Sequence, residues 1–88
     1  MGLSAAELAV VEHVVGAASD ARGAASALRR LMPQVRVTVQ DAVDLRGEAP
    51  AMRTRAVDVH LMASDGPCWS LTARPEAASA LVLADREG

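Results

Sequence analysis

Two arms of strict alternation around one turn, Ala56–Ala73 (AVDVHLMASDGPCWSLTA), constrain the chain more than any other stretch. Val57, Val59, Leu61 and Ala63 alternate with Asp58, His60 and Met62; beyond Ser64-Asp65-Gly66-Pro67, Trp69, Leu71 and Ala73 alternate with Ser70 and Thr72. A period of two on both sides of turn residues predicts an antiparallel hairpin with one apolar face. Asp-Gly often makes a two-residue type I′ turn, but that register sets Leu61 opposite Ser70 and Trp69 opposite Met62. A three-residue loop, Asp65 to Pro67, instead pairs Ala63 with Trp69, Leu61 with Leu71 and Val59 with Ala73. Sliding a strand by one residue sends every side chain to the other face. The three-residue loop therefore predicts Trp69 and Leu71 in the core, and His60, Met62, Ser70 and Thr72 together on a face open to water or a partner.

The flanking segments supply the remaining elements. Ser4-Ala-Ala-Glu7 is a capping box with Leu3 and Leu8 placed as a hydrophobic staple, so a helix starts at Ala5, with Leu8, Val11, Val15 and Ala18 on its apolar side. Ser19 or Asp20 caps a second helix with the stripe Ala21, Ala24, Ala25, Leu28, Leu31 and Met32, which Pro33 ends. Gln34–Gln40 alternates Val35, Val37 and Val39 with Arg36 and Thr38, a strand. Asp41–Arg55 has no period and contains Gly47 and Pro50; it reads as a long loop of the kind that is either disordered or a binding loop. Pro75–Ala78 suits one helical turn with proline at its first position and Ser79–Ala84 a closing strand, while Pro75–Arg86 as a whole also has the composition of a helix.

These elements predict an α+β fold in one domain, residues 1–88: two N-terminal helices packed on one face of a small antiparallel sheet of three or four strands. Leu8, Val11, Leu28, Leu31, Val35, Val37, Val39, Val59, Leu61, Trp69 and Leu71 are the expected core. That core is thin, because the 51% of apolar residues are rich in Ala and include no Phe, Tyr or Ile. A chain this short buries only about 60% of its unfolded surface, so burial gained by self-association has value, and a homodimer is expected through the Gln34–Gln40 edge, where neither Arg36 nor Pro50 is an evident guard.

Net charge −2 with no basic run beyond Arg29-Arg30 argues against a nucleic-acid or anionic-lipid grip, and one Trp makes no base-stacking platform. One Cys rules out a disulfide framework, and without a signal-type N-terminus or an apolar stretch near 20 residues the expected location is the cytoplasm, with no membrane partner. Asp58, His60 and Ser70 resemble a hydrolytic set, but no glycine-rich elbow or oxyanion loop accompanies them, so no enzyme is read from them. Cys68 with His60 or His13, joined by Asp41, Asp44 or Glu48, lacks any ligand spacing typical of a metal site. Two functions follow: a non-catalytic module that binds a protein partner and needs no cofactor, or a metal- or thiol-dependent factor using Cys68 with His60.

From Leu28 to Asp85 the order of Val59-His60-Leu61-Met62, Asp65-Gly66, Cys68-Trp69-Ser70-Leu71-Thr72, Pro75-Glu76-Ala77-Ala78-Ser79 and Leu81-Val82-Leu83-Ala84-Asp85 resembles a family of small uncharacterised proteins encoded beside nitrogen-fixation genes in proteobacteria. Aromatic residues expected by that resemblance are replaced by Val37-Thr38 and His60, and a Gly by Ala80. The resemblance implies an accessory role near nitrogenase or its assembly, and no catalytic residues.

Overall fold

The computed structural model describes residues 2–45, 47–65 and 68–86, and for Asp65 the backbone alone. Helix α1 (Ala5–Ala17) starts at the reciprocal cap: Ser4 Oγ accepts from Glu7 N at 3.1 Å and Glu7 Oε1 accepts from Ser4 N at 2.9 Å. Helix α2 (Ala21–Leu31) is opened by Asp20, whose Oδ1 accepts from Gly23 N at 2.7 Å. Its N-terminus is also tied across the molecule, Ala21 N donating to Asp85 Oδ1 at 2.7 Å. Ala21, Ala24, Ala25, Leu28 and Met32 are buried, and the small alanines let the helix lie close to the sheet. Leu31 is 61% exposed, contrary to its expected place in the core. At about 100° per residue it falls roughly 75° from the centre of that stripe, past its margin.

Five strands follow: β1 (Arg36–Val39), β2 (Met52–Arg53), β3 (Val57–Asp65), β4 (Cys68–Thr72) and β5 (Ala80–Asp85). They form one sheet in the order β1-β5-β3-β2, and β4 shares with β2 the edge of β3 that β5 does not use. The sheet is thus five-stranded and mixed rather than purely antiparallel, because β1 pairs with β5 in parallel, Val37 beside Leu81. Period-two alternation reads the same in both directions along a strand, so it carries no information on that choice. The closing strand lies in the centre, and Ala80–Ala84 is buried on both faces, as a continuous apolar run demands.

One core lies between helices and sheet, with Val11, Val15, Leu28, Val37, Val57, Val59, Leu61, Leu81 and Leu83 at its heart and Leu8 and Val14 packed at its margin. Val39 is 40% exposed on the edge strand rather than in that core. Within Asp41–Arg55 the chain makes a 3₁₀ turn at Ala42–Leu45 and the short β2, so this stretch contributes a strand to the sheet. Gly47, with φ +92°, supplies the left-handed backbone that turns the chain between them. Among the described residues no helix is long and apolar enough to cross a membrane.

The hairpin register differs from both sequence alternatives. Ser64 pairs with Trp69, Met62 with Leu71 and Leu61 with Thr72, closed by Asp65 opposite Cys68; the loop residues Gly66 and Pro67, where the three-residue loop was expected, lie outside the described residues. Relative to the expected pairing the shift is one residue, and β4 presents its opposite side to the helices. Trp69, expected buried, is 41% exposed. The physical reason is coverage: α2 packs on β1 and β5, β4 lies two strands away at the far edge of β3, and Cys68 and Ser70 on its helix side are themselves exposed, so that side offers little to cover Trp69.

The open face and bare edge of the hairpin

Parity along β3 builds the site. Val57, Val59 and Leu61 face the helices, so Asp58, His60, Met62 and Ser64 face the other way. The register carries this face across the sheet: Thr38, Val82 and His60 form one row, and Arg36, Ala80, Met62 and Leu71 the next. Trp69 lies beyond them on the same side, where the Arg36 guanidinium carbon sits 5.7 Å from its ring centroid, within cation–π reach. Since β1 and β4 are separated by β5 and β3, this contact spans the sheet.

Of the expected interface residues, the structure therefore brings His60 and Met62 together with Leu71 and Trp69, while Ser70 and Thr72 point to the helix side of β4. Ser70 is consequently on the opposite face from His60, which dismantles the Asp58–His60–Ser70 arrangement geometrically. Cys68 is exposed at the hairpin end opposite Asp65, five residues along β3 from His60 and so roughly 16 Å away at the rise of a strand. Among the described residues no three His, Cys, Asp or Glu side chains converge. The sequence missed Trp69 and Leu71 as members of this face; their shared parity was visible, but not which side it would take.

The middle of this face is partly roofed. Leu45, from the 3₁₀ turn, packs on Val82 and Ala84 with Met62 and Leu71 against the same cluster. His60 is the one polar residue buried among those described, 4% exposed, and burial holds its imidazole below the ordinary histidine range, with the Asp58 and Glu48 charges pulling partly the other way. A neutral His60 at pH 7 follows. It floors a cleft of about 280 Å³ between Glu48–Ala51 and Leu71–Ala73, below the roughly 300–1,000 Å³ of small-molecule sites. Beside it Asp58 Oδ1 lies between two guanidinium groups, Arg53 Nε at 3.4 Å and Arg86 Nε at 3.9 Å, at ion-pair distance, with no hydrogen-bond partner among the described residues.

The sheet's two edges differ chemically. Gln40 N donates to Leu83 O at 3.0 Å, so the even residues of β1 bond β5 and the odd ones turn outward. The outward carbonyl of Val37 is already taken: Arg29 donates to it from Nε at 3.1 Å and Nη2 at 2.8 Å. Arg29 on α2 thus guards the β1 edge, the edge expected to pair with a second copy. At the other edge, Ser79 N bonds Met62 O, so even residues of β3 face β5 and odd ones face β4. Their partners Thr72, Ser70 and Cys68 turn inward, and the backbone N–H and C=O of Trp69 and Leu71 point away from the sheet, with no strand beside them among the described residues.

Compared with protein-family models, curated proteins and solved structures, the chain gives no match.

Proposed function

We propose that the protein is a non-catalytic interaction module, engaging a protein partner through the bare β4 edge and the adjoining face of Met62, Leu71 and Trp69. One observation carries this reading: the only aromatic residue of the chain is 41% exposed on a strand whose outward backbone groups have no strand beside them among the described residues. Unpaired N–H and C=O groups supply main-chain affinity to an added strand, and side chains of one parity supply specificity. Aromatic residues with a wet end and an apolar body are the usual anchors of such contacts. The resemblance of Leu28–Asp85 to proteins encoded beside nitrogen-fixation genes supports an accessory role there, in the cytoplasm.

A photo-reactive side chain placed at position 71 and irradiated in living cells is the test. A defined covalent adduct is expected from position 71 and none from position 12, on the exposed side of α1. Loss of the adduct on Trp69→Asp is expected as well. No adduct from position 71 overturns the reading.

A further inference from the structure

We infer that the partner of the β4 edge is a second copy of this chain, paired antiparallel about a two-fold axis at Ser70. This rests on the interaction reading above and names the partner. The edge is self-complementary: the outward groups belong to Trp69 and Leu71, which flank Ser70 symmetrically. With Ser70 opposite its own counterpart, Trp69 lies opposite Leu71 of the second copy, and each such pair exchanges two backbone hydrogen bonds. Four bonds close, and no outward group of those two residues is left over.

Electrostatics and edge chemistry point the same way. Cys68–Ala73 carries no charge and no proline, so nothing in the strand opposes its own approach. The devices that keep strand edges apart, an inward charge or an arginine on a carbonyl, are present at β1 in Arg29 and, among the described residues, lacking at β4. A heterologous contact of β4 with β1 would have to displace that guanidinium, whereas the isologous one displaces only water. On the open face the two-fold brings Leu71 of each copy beside Trp69 of the other, covering the exposed indole. On the other face Ser70 meets its counterpart, and the side chain there is small and exposed, leaving room for the approach. A pair of five-residue strands with two anchoring side chains per copy belongs to the interfaces below about 1,200 Å², so the dimer is reversible, with a dissociation constant on the order of micromolar.

Introduced thiols read this register. Ser70 sits in the non-hydrogen-bonded position of the pair, where Cα atoms approach to about 4.5 Å, inside the span that a disulfide bridges. Under mild oxidation Ser70→Cys in a Cys68→Ser background is expected to form a covalent dimer. Thr72→Cys in that background is expected to stay unlinked, because position 72 faces position 68 of the other copy; with the native Cys68 retained, Thr72→Cys is expected to link. Ser70→Lys places like charges on the axis and should weaken association at least tenfold in sedimentation equilibrium, as well as removing the rise of melting temperature with concentration that a dimer shows. Equal linking at positions 70 and 72 alone overturns the register. A wild-type chain that stays monomeric at about 100 µM, well above such a dissociation constant, and is unlinked at position 70, overturns the second copy. In that case an in-cell adduct at position 71 with a mass other than twice the chain leaves the interaction reading standing, and no adduct removes both.

Discussion

The two faces of this sheet are made from the same strands and share their backbone, yet only one of them carries the main core. On the helix side Val57, Val59, Leu81 and Leu83 are fully covered, and Leu61 and Val37 nearly so. On the other side a single 3₁₀ turn lays Leu45 on Val82 and Ala84, and cover thins from β5 towards β4, where Trp69 is exposed. An alternating strand is only as buried as the surface opposite it: β5 is covered twice, β3 once and partly, β4 hardly at all.

The helix side carries the largest expected loss. Leu81→Ala should cost about 3–5 kcal/mol, since it opens a cavity among fully buried side chains, and urea denaturation should find so small a domain largely unfolded. A loss under 1.5 kcal/mol there would mean that the helix face is not the principal core. Leu45→Ala, on the thinner layer, should cost about 2 kcal/mol and leave a cooperative transition. If it costs as much as Leu81→Ala, the open face is a second core and not a partial cover.

Trp69→Ala sharpens the contrast, because a buried Trp would cost about 3–5 kcal/mol while this one, opening onto solvent, should cost about 1–2 kcal/mol, measured where the chain is monomeric, with no cavity left behind. The same indole is a built-in reporter: its emission should be that of a partly wet Trp in dilute protein and shift to shorter wavelength as concentration rises. A dry emission spectrum at nanomolar concentration contradicts its exposure.

The smallest effect is electrostatic and belongs to His60. Its folded-state proton affinity is lowered by burial, so the unfolded chain binds the proton more readily. Stability is therefore complete above the unfolded histidine value of about 6.5, falls as pH drops through it, and levels off below the lower folded value. Urea midpoints at pH 7.5 and 5.5 should show this loss, and His60→Gln should flatten it. An unchanged slope in that variant assigns the pH dependence elsewhere. Glu7 and Glu76, held low by the Ser4 backbone and by Arg74 respectively, act only below the carboxylate range and do not interfere.

Local chemistry alone determined the elements whose cause lies within a few residues. Ser4 and Glu7, Asp20 and Pro33 bound the helices; Val35 to Val39 marks β1; the paired alternations mark the hairpin; Pro75 marks the final turn. Each of these is a contact or backbone restriction between near neighbours, so the order of residues contains it. Three matters were settled only by the tertiary structure: the direction of β1 against β5, the side of β4 that bears Trp69 and Leu71, and the guarding of one edge by Arg29. A period of two is unchanged when a strand is reversed, and it fixes which side chains travel together without fixing where they go. That depends on which surface α2 reaches, and α2 covers β1 and β5 while Arg29, eight residues before Val37, closes the edge beside it; β4 lies beyond that reach, and its pattern turned the other way.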